Sequence, residues 1–135
     1  MDSTVGTFTV KEIVCMDMES SVFEVIKTFA SLRFSALPVL DRDGRCFGIV
    51  TPKDIFELIA SLGDVHAIKA WEICSHTLFY VHPEITAVQA CQVMRDNKIH
   101  HLMVGDAVKP LGIISTMDIV DQLHQAEMAA FKAGY

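Results

Sequence analysis

The chain has 135 residues and a mass of 15.0 kDa, which suits one compact body with a substantial core. Its net charge is -6, its pI is near 5.4 and it has no cluster of lysine or arginine, so we expect no nucleic-acid partner. No apolar run approaches the roughly 18 residues of a membrane span, so we expect no membrane association either.

The apolar content of the chain predicts an interface. Apolar residues form 51% of the chain, and the mean hydropathy is +0.36. A chain of this size has few places to bury so much apolar surface. We therefore expect a second copy to cover part of it in a homodimer.

The start of the chain and its cysteines both predict a cytoplasmic protein. Residues 1–6 have neither the basic start nor the apolar stretch of a secretory signal. The cysteines stand among apolar neighbours and never occur in CxxC spacing, which predicts reduced, buried thiols without disulfides or a zinc site. These cysteines are Cys15, Cys46, Cys74 and Cys91.

The first half of the chain predicts a helix, a two-stranded hairpin and a second helix. Segments 36–40 and 46–50 are short and apolar, and 41–44 between them holds the Asp and Gly residues of a tight turn. Each helix is predicted by apolar residues that recur every three or four positions, and the first follows an N-cap at Ser20 or Ser21. The apolar stripes are Val22, Val25, Ile26 and Phe29 in the first helix and Ile55, Leu58, Ile59 and Leu62 in the second.

The second half of the chain repeats this order of elements. Residues 112–119 match 48–55 at an offset of 64, and residues 99–104 match 34–39 at an offset of 65. The helices recur as well, the earlier one after an N-cap at Thr86. Their apolar stripes are Ala87, Ala90, Cys91 and Met94, then Ile119, Leu123, Ala126 and Ala130.

These matches predict two repeats, 1–64 and 65–135, each made of helix, strand, strand and helix. A unit of about 60 residues buries too small a share of its surface to be stable alone. We therefore expect the two repeats to pack together with pseudo-twofold symmetry.

A doubled motif, Gly-apolar-apolar-Ser/Thr-x-x-Asp, stands at 48–54 and 112–118. With the helix and strand ahead of each copy, it resembles the cystathionine-beta-synthase-type (CBS) domain pair, or Bateman module, over nearly the whole chain. The resemblance implies an α/β (α+β) fold in which each repeat packs a short sheet against two amphipathic helices. It also implies an adenine ligand, namely AMP, ADP, ATP or S-adenosylmethionine.

Two interpretations of the motif residues stay open. Thr51 with Asp54, and Ser115 with Asp118, have the spacing of a capping box, which many helices use without binding anything. The same helix start offers free N–H groups and a hydroxyl to a phosphate, and the carboxylate one turn later is an acceptor for ribose hydroxyls. The resemblance assigns these ligand-binding roles to the four residues.

Four further positions complete the predicted site. The resemblance places Ala36 and His101 at the base or phosphate. His100 and His101 match a His-Arg pair that contacts nucleotide phosphate in the gamma subunits of AMP-activated protein kinase, although one packed and one solvated histidine is the open alternative. Lys53 is a secondary candidate, either a phosphate contact or a solvated charge on the first helical turn. Adjacent strand residues point to opposite faces, so His100 and His101 are not expected to chelate a metal together.

The repeats differ in one interval. From 10–13 to the first helix the chain is five residues shorter than from 69–73 to the matching helix of the second repeat. In the second repeat this interval holds 78–81, an aromatic stretch typical of a strand. We therefore expect the edge strand of the first repeat to be shortened or lost, and ligand binding to be tighter at Asp118 than at Asp54.

The sequence predicts regulation without catalysis. It contains no GxSxG, Walker, GxGxxG or HExxH motif, and the repeat motif offers no evident base, so a small enzyme is the weakest alternative. A structural dimerisation module without ligand is the stronger alternative. As a ligand-binding module without a catalytic domain, the chain is expected to act in trans on a separate regulated protein.

Overall fold

The computed structural model describes residues 3–7, 13–32 and 34–132, with the backbone alone from 128 onward. The chain forms two compact units. One is Val14–Leu78, called here the Thr51 unit, and the other combines Met1–Ile13 with Phe79–Tyr135 and is called the Ser115 unit. The predicted repeats 1–64 and 65–135 are a division of the sequence, and the compact units divide the chain elsewhere.

The Thr51 unit contains a three-stranded sheet and its helices. Strand β1 runs parallel to β2, and β2 runs antiparallel to β3, in the order β1-β2-β3. Buried side chains from all three strands and from α1 form its core, as the apolar patterns predict. Its elements are β1 (Met16–Asp17), α1 (Val22–Leu32), β2 (Leu37–Leu40), β3 (Cys46–Val50), α2 (Pro52–Ala60) and α3 (Ala70–Ile73).

The predicted hairpin is confirmed, and Asp41 fixes its turn. The Asp41 carboxylate accepts hydrogen bonds from the N–H groups of Asp43 and Arg45 at 2.9 and 3.0 Å. Gly44 has a φ of 81°, a conformation that costs glycine little. The turn therefore sets the register that pairs Leu37 with Val50 at the other end of the hairpin.

The Ser115 unit has the same architecture. Its sheet has the order β4-β5-β6, with a parallel pair followed by an antiparallel pair. Ala87, Ala90 and Met94 are buried on the predicted stripe of α4, and the Thr86 N-cap accepts from Gln89 N–H at 3.1 Å. Its elements are a short 3-10 helix (Val5–Thr7), β4 (Tyr80–Val81), α4 (Ala87–Asn97), β5 (His101–Gly105), β6 (Pro110–Ser115) and α5 (Thr116–Lys132).

The expected loss of an edge strand in the first repeat is wrong. Strands β1 and β4 each have two residues and pair in the same way, Met16 with Val39 and Tyr80 with Met103. The alignment of 10–13 with 69–73 is the source of the error, and 10–12 lie outside the described residues. In the structure Val5 corresponds to Ala70 and Val22 to Ala87, each pair 65 positions apart. The two intervals are therefore equal in length, and the first repeat lacks no residues there.

The segment 3–7 completes the Ser115 unit from the far end of the chain. Val5 is fully buried in that unit's core, and its N–H donates to Ile85 O at 2.9 Å. Ala87 N–H, at the start of α4, donates to Ser3 O at 3.1 Å. The beginning of the first repeat therefore packs with elements of the second.

The Thr51 unit shows the reciprocal arrangement. Ala70 is fully buried in its core and donates to Ser20 O at 2.8 Å, and Val22 N–H donates to Ile68 O at 2.9 Å. Each of these residues stands 65 positions from its counterpart in the Ser115 unit. The two repeats thus exchange their leading segments, and this exchange explains why the compact units do not follow the sequence repeats.

The cysteines are all free thiols, but their burial differs from the prediction. Cys74 is buried and Cys15 and Cys46 are half-buried, whereas Cys91 is exposed on α4 because it lies on the outer edge of the helix stripe. Burial, with the nearby Cys46 as a smaller cause, raises the pKa of the Cys15 thiol to about 11. Cys15 is therefore a protonated and weakly reactive thiol at neutral pH.

Across the described part of the chain, no helix is long and apolar enough to cross a bilayer. Large apolar side chains nevertheless remain exposed, and α2 and α5 each carry more than one of them. These are Phe56 and Ile59 on α2 and Met117, Val120 and Leu123 on α5. The predicted stripe of α2 is therefore only partly a core stripe, and its outer edge faces solvent.

Candidate ligand site at the start of two helices

Ser115 and Asp118 form a closed hydrogen-bonded pair where β6 meets α5. Ser115 N–H donates to Asp118 Oδ2 at 2.7 Å, and Asp118 N–H donates to Ser115 Oγ at 3.1 Å. Ser115 is buried, with 6% of its surface exposed. The predicted capping box is present, and it fixes both side chains at the first turn of the helix.

His101 lies beside this pair. Antiparallel pairing sets His101 opposite Ser115, and Thr116 N–H donates to His100 O at 3.0 Å. Burial lowers the pKa of His101, and His100 lowers it further, whereas the neighbouring Asp118 raises it. The structure therefore brings the four predicted residues of the second repeat to one end of one sheet.

His100 and His101 face differently, as alternation along a strand requires. His100 is exposed and His101 is half-buried. Within 3–7, 13–32 and 34–132, no group of three His, Cys, Asp or Glu side chains could hold a metal ion.

Thr51 and Asp54 form the corresponding pair where β3 meets α2. Thr51 N–H donates to Asp54 Oδ2 at 2.8 Å, and the Thr51 hydroxyl donates to the same oxygen at 3.2 Å. Burial raises the pKa of Asp54, and the two hydrogen bonds from Thr51 oppose that rise. Pro52 occupies the first helical position, where its missing N–H costs nothing.

The other two residues predicted for the first repeat are placed differently from each other. Ala36 is buried just before β2. Because Leu37 pairs with Val50, Ala36 lies at the end of the sheet where β3 leads into Thr51. Lys53 is exposed, and its Nζ lies 3.9 Å from Glu57 Oε1 along the helix surface. A ligand contact by Lys53 therefore stays a prediction.

The two hydroxyl groups play different hydrogen-bonding roles, which the sequence did not reveal. The Thr51 hydroxyl donates its hydrogen to Asp54, whereas the Ser115 hydroxyl accepts from a backbone N–H. A hydroxyl has one hydrogen to donate, so Ser115 keeps that hydrogen for another acceptor and Thr51 does not. Both motifs read as Ser/Thr-x-x-Asp, and no signal in the sequence separates them.

The family of the chain follows from a comparison with protein-family models. The model described as CBS domain matches residues 5–61 and again residues 70–125. The chain belongs to the CBS domain family. The two matches are in tandem, so the chain is a CBS pair, and the predicted resemblance is confirmed.

The first curated relatives of this CBS pair are longer proteins. The chain is 26% identical over 111 residues to an "uncharacterized 33.4 kDa protein in ribosomal RNA operon" of Thermofilum pendens. That match covers 82% of this chain and 36% of the relative. The chain spans about a quarter to two fifths of the length of the first curated relatives it matches.

Solved structures share the fold. A putative signal-transduction protein with CBS domains from Burkholderia ambifaria is 26% identical, with a TM-score of 0.80 over 90% of this chain and 93% of that one. The CBS domain pair of protein MJ0100, solved with methylthioadenosine and S-adenosylmethionine, has a TM-score of 0.82 at 20% identity, over 93% and 99% of the two chains. The predicted α/β architecture is confirmed.

Proposed function

We propose that this CBS pair binds an adenine nucleotide or adenosyl ligand, drawn from AMP, ADP, ATP and S-adenosylmethionine, and that it regulates a separate protein. The observation that carries the proposal is the cluster of His101, Ser115 and Asp118 at one sheet end. A buried hydroxyl and a carboxylate one helical turn apart, with an imidazole on the neighbouring strand, offer both donors and an acceptor. A capping box alone needs neither the imidazole nor a hydroxyl with a hydrogen to spare.

Different groups of the cluster suit two different parts of the ligand, the phosphate and the ribose. The Ser115 hydroxyl and the His101 imidazole are donors for a phosphate at the positive end of the α5 dipole. Asp118 uses Oδ2 to hold Ser115 N–H, and its second oxygen is an acceptor for ribose hydroxyls. In the Thr51 unit Ala36 replaces the imidazole, so that site offers a base or ribose surface with fewer donors.

A structural neighbour supports the ligand class. MJ0100 was solved with two adenosyl compounds, and its fold is the one found here. Neither compound carries a phosphate, so the neighbour supports adenosine recognition, while the His101 cluster favours a phosphate in addition. On this basis we propose nucleotides ahead of S-adenosylmethionine for this chain.

The rest of the proposal concerns how binding is used. The chain would act without catalysis, in the cytoplasm and as a homodimer. The second copy would cover the exposed apolar residues of α2 and α5. Ligand binding would change the balance of conformations and so the affinity for a regulated partner protein.

Titration calorimetry with AMP, ADP, ATP and S-adenosylmethionine tests the proposal. We expect at least one nucleotide to bind and to raise the melting temperature by mass action on the folded state. If none of the four gives heat or a shift at millimolar concentration, the ligand proposal is wrong and the alternative, a structural dimerisation module, takes its place. Light scattering on the same samples separates that alternative from a chain that neither binds nor associates.

A further inference from the structure

A cavity of about 420 Å³ lies in the Ser115 unit, at the turn between β5 and β6. The end of β4 and both sides of the turn line it, and its apolar walls are Val81, Pro83 and Leu111. The cavity reaches Gly105, four residues along β5 from His101, or about 13 Å from the candidate ligand site. It is therefore a separate place, with a volume in the range of roughly 300 to 1,000 Å³ that small-molecule pockets have.

Larger side chains occupy two matching positions of the Thr51 unit. The counterpart of Gly105 is Leu40, and that of Leu111 is Phe47. Gly105 has a φ of 104°, and a Cβ there would lie 2.6 Å from Lys109 O. The turn therefore excludes a side chain at this position, and the cavity wall at Gly105 is bare backbone.

A third difference lies beside the Pro83 wall. Gly6 N–H donates to Pro83 O at 2.9 Å, and in the Thr51 unit Trp71 N–H donates to Met18 O at 3.1 Å. These two hydrogen bonds correspond at the repeat offset of 65, so a hydrogen atom stands where the Thr51 unit has an indole. The Ser115 unit thus carries the smaller side chain at three positions in or next to the cavity.

His82 gives the cavity a hydrogen-bond donor. Its Nδ1 accepts from Glu84 N–H at 3.1 Å, so the neutral ring carries its hydrogen on Nε2. Asp17, the counterpart of His82 in the Thr51 unit, accepts from Glu19 N–H at 2.8 Å. A carboxylate therefore suffices for this turn, and the imidazole adds an N–H donor that the turn does not need.

Two groups of opposite charge complete the lining. Asp106 Oδ1 accepts from Val108 N–H at 2.9 Å and from Lys109 N–H at 2.7 Å, which fixes the carboxylate and leaves Oδ2 as an acceptor. Lys109 is exposed, and among the side chains that the structure describes it forms no ion pair. The cavity thus combines apolar walls with one charged acceptor and two donors.

We propose that this cavity binds a free apolar α-amino acid. The side chain of the amino acid lies against the apolar walls, its carboxylate meets Lys109 and His82, and its ammonium group meets Asp106. A plain carboxylic acid would bring its charge close to Asp106, and a plain amine would bring its charge close to Lys109, so the zwitterion matches the site better than either. The site is independent of adenine binding and adds a second ligand class to the proposed function.

Titration calorimetry of the full chain with L-leucine and L-phenylalanine tests the site, and ligand-detected NMR measures two fragments of leucine. 4-Methylpentanoate lacks the ammonium group, and 3-methylbutylamine lacks the carboxylate. We expect an amino acid to bind and each fragment to bind at least roughly tenfold more weakly, because a charge-assisted contact is lost. If neither amino acid binds at millimolar concentration, or if a fragment binds as tightly as leucine, the proposal is wrong.

Variants assign the two charges of the site. Lys109→Gln should weaken leucine binding roughly tenfold without weakening 3-methylbutylamine. Asp106→Asn keeps an oxygen for the N–H groups of the turn, and it should weaken leucine similarly without weakening 4-methylpentanoate. Leu111→Phe should narrow the cavity and weaken both amino acids, whereas Arg45→Gln, at the counterpart of Lys109 in the Thr51 unit, should change nothing.

The pattern across ligands separates a contact from a general disturbance of the fold. Equal losses for leucine and for the fragment that lacks the missing contact would contradict the proposal. AMP titration of the same samples separates the two ligand sites. Leucine binding without AMP binding refutes only the adenine proposal, and AMP binding without amino-acid binding refutes only this one.

Discussion

The Thr51 unit and the Ser115 unit share strand order, pairing and helix placement, and they differ in side chains at several places. At the candidate ligand sites, the Thr51 unit has Ala36 and a hydroxyl that donates to Asp54, whereas the Ser115 unit has His101 and a hydroxyl that accepts from Asp118 N–H. On the helices, Phe29 and Phe56 of the Thr51 unit correspond in sequence to the smaller Met94 and Val120 of the Ser115 unit. The comparison teaches that one framework carries different side-chain chemistry in the two units.

This difference gives a new reason for ranking the two sites. We expect ligand affinity to be higher at Asp118 than at Asp54, and the sequence bases this expectation on a missing strand that is in fact present. In the structure the expectation rests on hydrogen-bond donors instead. The Ser115 unit presents an imidazole and a hydroxyl hydrogen, and the Thr51 unit presents neither at the matching positions.

The largest expected effect comes from the motif carboxylates. Asp118→Ala should weaken the tightest adenine binding by about 1 to 3 kcal/mol, or roughly five- to a hundredfold, because ribose donors lose their acceptor. Asp54→Ala should change it little. Calorimetry measures both, with Asp118→Asn as a control that keeps an acceptor for Ser115 N–H. If Asp54→Ala removes the tight event and Asp118→Ala does not, the ranking is reversed.

The next effect concerns the exchanged segments. Val5→Ala should lower the free energy of unfolding by about 2 kcal/mol, since it leaves a cavity in the core of the Ser115 unit. The matching position of the Thr51 unit is already alanine, so Ala70→Val is the paired variant, and it should destabilise by overpacking. Urea unfolding checks both. A neutral Val5→Ala would mean that the leading segment contributes little to the unit it joins.

Removing the imidazole should have a smaller effect. His101→Ala should weaken AMP binding about tenfold, equivalent to about 1.4 kcal/mol, and leave adenosine binding nearly unchanged, because only AMP carries the phosphate. The reciprocal variant Ala36→His asks whether the Thr51 unit gains phosphate affinity. Equal losses for AMP and adenosine would place His101 at the base instead.

The smallest effect is a pH dependence of stability. The folded-state pKa of His101 lies below its usual value near 6.5, so the unfolded chain takes up that proton first as the pH falls. The stabilising contribution is thus complete above about pH 6.5 and is lost as the pH falls through the lower folded-state pKa. Urea unfolding between pH 7.5 and 5.5 should show a shallower decline for His101→Gln than for the wild type. An identical slope would contradict this assignment, and His124→Gln, at an exposed position of α5, serves as control.

Local patterns in the sequence predicted most of the fold. Apolar spacing placed α1 and α4, and the Asp and Gly residues of 41–44 placed the first hairpin, because helices and turns depend on neighbours in the chain. The capping boxes were predicted for the same reason. Strand β1 was missed because two residues carry too little pattern to mark a strand.

The features that depend on distant contacts could not be predicted. Burial of Val5 requires contact with Ile85, and no periodicity links positions so far apart in sequence. The opposite roles of the Thr51 and Ser115 hydroxyls depend on side-chain rotation, which a shared motif does not encode. Exposure of Cys91 followed from its place at the edge of a stripe, where apolar spacing alone does not separate core from surface.

The exchanged leading segments also set an order of events during synthesis. The Thr51 unit is continuous in the chain, and all its parts are present once Leu78 has been made. The segment around Val5 is made before the Thr51 unit, yet its hydrogen-bond partner Ile85 comes 80 residues later. At about 5 to 20 residues per second that delay lasts roughly 4 to 16 seconds. Val5 is therefore made well before the residues that bury it, and it stays uncovered until they have been made.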